Sequence, residues 1–195
     1  MFNELHILLV NFKLRHIYVF SIKKLMKSKK NLVFLGMMGS GKSSIGSLVA
    51  KKLKLNFIDI DREIEKKLKI KIKKIFENKG EHYFRKVEEQ TTLKKLKLNS
   101  SVISLGGGAF INKNIRQEVT KNHLSFWLNW DTEILLKRIK NSKKRPLTIG
   151  ASDNELINLV KKRSSLYSKA LYEIKCDSLT KNQIVNNIIK IYETN

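Results

Sequence analysis

Eight residues, Gly36-Met37-Met38-Gly39-Ser40-Gly41-Lys42-Ser43, restrict what this 195-residue chain can fold into more than any other stretch. They fit G-x-x-x-x-G-K-[ST], a strand-to-helix turn whose glycines let successive backbone N–H groups curl toward phosphate oxygens. The flanking sequence suits that turn. Asn31–Leu35 is a short, branched apolar run that reads as a buried strand, and Lys42–Leu55 places Ile45, Leu48, Val49 and Leu53 at helical spacing. A helix opening at this point aims its positive dipole end at the phosphates. Lys42 then supplies a point charge to the β- and γ-phosphates, and the Ser43 hydroxyl is a ligand for Mg²⁺. Gly39, Ser40, Gly41 and Ser44 complete the candidate nucleotide contacts. A glycine-rich turn without a ligand leaves the Lys-Ser pair unexplained.

Beyond this turn, apolar runs alternate with helical patterns. Phe57–Ile60, Val102–Leu105, Leu124–Leu128 and Tyr172–Cys176 read as further strands. Two or three helical stretches cover 61–97 with a break at Gly80, and Asp131–Lys140, Asp153–Ala170 and Lys181–Tyr192 read as helices. Strands alternating with helices in this way predict an α/β domain, a five-stranded parallel β-sheet flanked by helices. Residues 141–152 are polar, hold the only proline, and read as a loop. Residues 1–29 differ in character: apolar pieces come first and lysines follow, the reverse of a signal peptide. We read them as a basic extension ahead of a domain at 30–195, with Met26 as an alternative start.

The formal charge of +23 comes from 40 Lys and Arg against 17 Asp and Glu. Such a charge raises the prospect of nucleic-acid binding. The lysines, however, are spread along the chain with no interleaved aromatic residues, so the expectation is a solvated surface and no nucleic-acid partner. A single cysteine excludes an internal disulfide framework, and no apolar run approaches the roughly 18 residues of a membrane span. A cytoplasmic protein without a membrane partner is expected.

The second strand runs into Asp59-Ile60-Asp61, and strand alternation would set both carboxylates on one side, at the carboxyl edge where open parallel sheets bind ligands. One acid could then serve the Mg²⁺ shell while the other orients an acceptor hydroxyl; equally, Asp61 could simply cap the next helix. Gly106-Gly107-Gly108 closes the third strand, where missing side chains permit close backbone approach to a ligand. Only seven of the basic residues are arginines. Arg85, Arg145 and Arg163 therefore stand out as candidates for planar, bidentate contacts that lysine cannot make.

The ordered set of motifs resembles the shikimate kinase family. The resemblance covers about 30–195 and rests on six pieces. These are the phosphate loop at 36–43, D-x-D at 59–61, F-R-x-x-E (Phe84, Arg85, Glu88), G-G-G at 106–108, R-P-L at 145–147 and R-x-x-L-Y at 163–167. The resemblance implies a P-loop NTPase fold like that of the nucleoside monophosphate kinases, with a lid at about 141–152. It implies ATP and shikimate as substrates, one Mg²⁺ ion, and phosphorylation of the shikimate 3-hydroxyl on the route to chorismate and the aromatic amino acids, by a monomer. Carried onto these residues, Lys42, Asp61 and Arg145 are catalytic, and Ser43 and Asp59 serve the metal. Arg85 and Arg163 grip the substrate carboxylate, Gly106, Gly107 and Gly108 approach the ring, and Phe76 and Phe84 form its apolar wall. Arg138 lies against adenine, and Arg145 comes from the lid. Three departures stand out: Ser44 where threonine is common, Thr180-Lys181 where an arginine often approaches the base, and the extension at 1–29, which has no counterpart in compact family members. A gluconate kinase-like enzyme on the same fold and a basic, nucleotide-dependent binding module are the alternatives.

Overall fold

The structure, a computed structural model, describes residues 30–140 and 152–195. The alternative start at Met26 and nearly all of the expected lid, Arg145 included, lie outside those residues. The elements run β1 (Leu32–Leu35), α1 (Lys42–Leu53), β2 (Asn56–Asp59), α2 (Ile60–Leu68), α3 (Ile72–Leu96), β3 (Ser101–Ser104), a short 3-10 turn (Ala109–Ile111), α4 (Lys113–Asn122), β4 (Leu124–Asn129), α5 (Thr132–Lys140), α6 (Asp153–Tyr167), β5 (Tyr172–Lys175) and α7 (Lys181–Glu193).

The five strands form one sheet in the order β2-β3-β1-β4-β5, and every pairing is parallel. β1 lies at the centre, with Leu32 opposite both Val102 and Leu124. A central strand is buried on both faces, which is why Leu32-Val33-Phe34-Leu35 is an unbroken apolar run rather than an alternating one. Its side chains divide between two cores. Val33 and Leu35 pack with Ile60, Ile64, Phe84, Ile115 and Tyr167 on the α2–α6 face, and Leu32 and Phe34 pack with Ile45, Val49, Ile184 and Ile188 beneath α1 and α7. Each such side chain, fully buried, contributes about 1.5–3 kcal/mol. Four-residue strands suffice because two helical layers cover them.

Two features of this frame prepare the site. α1 opens at Gly41 with φ 89° and ψ 12°, a left-handed conformation that disfavours other residues, and it has neither a side-chain cap nor an acidic residue in its first turn. Its positive end is therefore left open toward the ends of the strands. α3 breaks at Gly80 (φ 76°, ψ 172°), as the sequence predicts, so its two halves carry Phe76 and Phe84–Glu88 at different angles to one pocket.

Some expectations need correction. β2 ends at Asp59, not Ile60, and Ile60 already begins α2. Strand alternation is thus not what brings Asp59 and Asp61 together. Asp59 rather than Asp61 is the N-cap, its Oδ1 accepting the Arg62 N–H at 3.2 Å. α1 stops at Leu53, where Lys54 turns left-handed, and α6 stops at Tyr167, three residues short of the expected end. α4 was not anticipated at all. Its ten residues hold only two apolar side chains, Ile115 and Val119, and it is started by Asn112, whose Oδ1 accepts from the N–H groups of Asn114 and Ile115.

Candidate active site

The carboxyl ends of β1, β2 and β3 open into a cavity of about 1030 Å³. Its floor is the 36–43 loop. Lys42 is buried, and its Nζ donates to the carbonyls of Gly36 (2.8 Å) and Met37 (2.9 Å), which holds the ammonium over the loop. Gly39, Gly41, Lys42, Ser43 and Ser44 all line the cavity, and the two serines are exposed to it. Ser40 does not. It is fully buried, with its N–H donating to the Met37 carbonyl and its carbonyl accepting from the Trp130 indole.

The Ser43 hydroxyl donates to Asp59 Oδ2 at 2.5 Å, so the first turn of α1 and the end of β2 present a hydroxyl and a carboxylate side by side. An all-oxygen donor pair beside a phosphate cradle fits a hard divalent cation such as Mg²⁺. Among the described residues no cluster of three or more His, Cys, Asp or Glu side chains forms a metal cage. Mg²⁺ completes its shell from water and substrate phosphates, so two protein oxygens are consistent with it.

Across the cavity stands a set of charges, of which Glu88 and Arg163 are buried. Arg85 Nη1 donates to Glu88 Oε2 at 2.6 Å, one helical turn away, and its Nε and Nη2 donate to Glu81 Oε1 at 3.1 and 2.9 Å. Glu88 is 2% exposed. Burial pushes its carboxyl above the usual range, against the pull of Arg85 and Arg163. Asp61 is raised further, to about 6, first by burial and then by the negative charges of Glu88 and Asp59, with Lys42 and Arg85 opposing. A carboxyl held near neutrality in a cleft is an acid–base candidate. Arg163, 4% exposed, donates from Nη1 to the Gly107 carbonyl at 3.3 Å, and its buried Nε has no hydrogen-bond partner among the described residues. The Tyr167 hydroxyl donates to the same Gly107 carbonyl.

The three glycines make room for this cluster. A Cβ on Gly106 would lie 2.9 Å from Asp61 Oδ1, one on Gly107 3.2 Å from the Met38 N, and one on Gly108 2.6 Å from Arg85 Nη1. Side chains there would displace, in turn, the acid, the phosphate loop and the arginine. Phe76 and Phe84 meet with ring centroids 4.7 Å apart and line the cavity beside Arg85. Arg138 does not reach this cavity. Its guanidinium lies over the Trp130 ring, 3.6 Å from the centroid.

The family model for shikimate kinase matches residues 38–193. The chain belongs to the shikimate kinase family. It is 39% identical over 180 residues to a shikimate kinase of Bartonella quintana, covering 90% of this chain and 86% of that protein. It is also 39% identical over 160 residues to one from Sulfurihydrogenibium, covering 82% and 96%. Among solved structures, a shikimate kinase from Acinetobacter baumannii in complex with shikimate superimposes with a TM-score of 0.81 at 29% identity, covering 88% of this chain and 97% of that one. A deoxyadenosine kinase from M. mycoides, at 17% identity and a TM-score of 0.55, shares the fold.

The cavity brings together most of the residues singled out in the sequence, along with others that were not. Glu88 was quoted in a motif but given no task, because nothing in a chain this rich in charge marks one glutamate as buried. Tyr167, buried against the Gly107 carbonyl, carries no such mark either. Arg62, Lys71 and Lys73, which line the rim of the cavity, carry no sequence signal that separates them from the other basic residues.

Proposed function

We propose that this chain transfers the γ-phosphoryl group of ATP to the 3-hydroxyl of shikimate, giving ADP and shikimate 3-phosphate, in the supply of chorismate and the aromatic amino acids. The observation that carries this reading is Arg163. A guanidinium 4% exposed, whose buried Nε has no hydrogen-bond partner among the described residues, lines the same cavity as a second arginine, and such a pair suits a carboxylate. Family membership supports the same acceptor.

In this reading Arg163 and Arg85 hold the shikimate carboxylate, and Phe84 and Phe76 cover the apolar side of the ring. The glycine backbone at 106–108 admits the ring close to the phosphate loop. Asp61 then faces the reacting hydroxyl, orients it and accepts its proton as the P–O bond forms. Lys42 stays with the β- and γ-phosphates and balances charge on the transferring group. Ser43 would hold Mg²⁺ directly and Asp59 would assist through its water shell, and the ion would supply neutralisation of the phosphate charge. Most of the catalysis comes from positioning, since phosphoryl transfer asks for little covalent chemistry from the protein. We assign Arg145 to the same phosphates from the 141–152 segment, and we take the working unit to be a cytoplasmic monomer without nucleic-acid or membrane partners. Among the described residues, no helix is long and apolar enough to cross a membrane.

A coupled assay for ADP release tests the acceptor. We expect ADP with shikimate and only background with gluconate or buffer; equal rates in all three would falsify the assignment. The pH profile follows from Asp61. Its carboxyl titrates near 6, so at pH 7 about nine-tenths of the free enzyme holds the carboxylate form needed to take a proton. Accordingly kcat/KM for shikimate should fall about tenfold per pH unit below 6. A profile flat to pH 4.5 would rule out Asp61 as the base.

A further inference from the structure

Trp130 follows β4 immediately, next to the phosphate loop, and it makes two contacts on different sides of one indole. Its Nε1–H donates to the Ser40 carbonyl of the loop at 2.9 Å. Its ring face carries the Arg138 guanidinium at 3.6 Å from the centroid, where the ring quadrupole attracts a cation. Arg138 sits in the last turn of α5, and its charge reaches Cys176 just beyond β5, so the stack stands between the ends of β4 and β5. The indole is half-buried and packed against both cores, while Arg138 is exposed. Among the described residues no carboxylate lies within ion-pair distance of Arg138. One face of its planar guanidinium is therefore covered by an aromatic ring, and its hydrogen-bonding edge is not spent on an acid.

We propose that Trp130 is a positioning residue for the nucleotide base: the indole fixes Arg138 as a flat cationic platform on which the base stacks, and ties that platform to the phosphate loop through Ser40. The proposal rests on the reading that ATP is the phosphoryl donor with its base at Arg138. The physical reasoning is entropic as well as electrostatic. An exposed arginine has several free side-chain torsions, and a base that must order it on binding loses affinity. An indole that has already chosen the rotamer removes that cost. Because the same side chain hydrogen-bonds the loop, base and phosphates are gripped by one connected unit.

The two contacts can be separated by substitution. Trp130→Leu removes the platform and the N–H, whereas Trp130→Phe keeps a stacking face and removes only the N–H. Binding of ADP and of inorganic tripolyphosphate, which has no base, is measured by titration calorimetry on the full chain. We expect Trp130→Leu to weaken ADP about fivefold to tenfold, the cost of ordering one rotamer-rich side chain on binding. Tripolyphosphate affinity should change less than twofold, as should kcat and the shikimate KM. Trp130→Phe should restore most of the ADP affinity. Independently of any variant's folding, ADP should change the tryptophan emission of the wild-type chain more than tripolyphosphate does. Trp130→Leu with unchanged ADP affinity, or with equal losses for ADP and tripolyphosphate, overturns the proposal, as does an identical emission response to the two ligands. Arg138→Ala separates this from the reading beneath it. If Arg138→Ala weakens ADP and Trp130→Leu does not, only the role of Trp130 fails; if Arg138→Ala also leaves ADP unchanged, the base lies elsewhere.

Discussion

Asp61→Asn is expected to abolish turnover and at the same time make the protein harder to unfold. The two effects share one cause. The Asp61 carboxyl is buried at the carboxyl edge of the sheet beside Glu88 and Asp59, and its pKa is raised from 3.8 to about 6. For a carboxyl raised in the folded state, the favourable contribution is fully present below about pH 3.8 and is lost as pH rises through 6. Above that point the folded protein carries an ionised group it would rather protonate. The penalty is at most about 3 kcal/mol, from a shift of about two units. Asparagine keeps the shape and drops the charge, so at pH 7.5 the melting midpoint should rise by several degrees, while near pH 4 the two proteins should melt together. Turnover should fall by about 10³, the scale for losing a general base, with ADP affinity changed less than twofold. A variant with wild-type rate would remove Asp61 from the chemistry. A lower melting midpoint at pH 7.5 would contradict the electrostatic account of the site.

Arg163→Lys is expected to produce the largest change in acceptor binding. Arg163 reaches the cavity from α6, with Nη1 on the Gly107 carbonyl and Nε unpartnered, while its charge also helps to balance the buried Glu88. Lysine retains that balance, so the fold should survive, but a point charge cannot present two parallel N–H donors to a carboxylate. Losing one charge-assisted hydrogen bond of about 1.5–3 kcal/mol corresponds to a rise in shikimate KM of roughly 10- to 150-fold. The ATP KM should move less than twofold because Arg163 belongs to the acceptor side. An unchanged shikimate KM, measured by steady-state kinetics at saturating ATP, would show that the carboxylate is held elsewhere.

How far the sequence could be read depended on how local each signal was. The phosphate loop is eight contiguous residues whose glycines and lysine have few other reasons to occur together, and its geometry follows directly. β1 and β4 are short, dense apolar runs and were equally plain. α4 was lost because Ile115 and Val119 are its only apolar side chains, too few to establish a period. The pairing of Asp59 and Asp61 was inferred from alternation, yet it comes from a strand that ends and a helix that begins between them. Glu88 stands in the F-R-x-x-E motif, but nothing in the sequence gives it a task. Its significance is its burial and its 2.6 Å contact with Arg85, and the burial needs the space that Gly106 leaves. Trp130 belongs to the same class: a residue whose role exists only once α5 is folded over the end of β4.

The most direct test of the central claim is a crystal structure of the chain with shikimate and ADP bound together. The account predicts the shikimate carboxylate within about 3 Å of the guanidinium nitrogens of both Arg85 and Arg163, and the 3-hydroxyl within the same distance of an Asp61 oxygen. A carboxylate seated instead on the Lys71 and Lys73 rim, or a different hydroxyl turned toward Asp61, would contradict it.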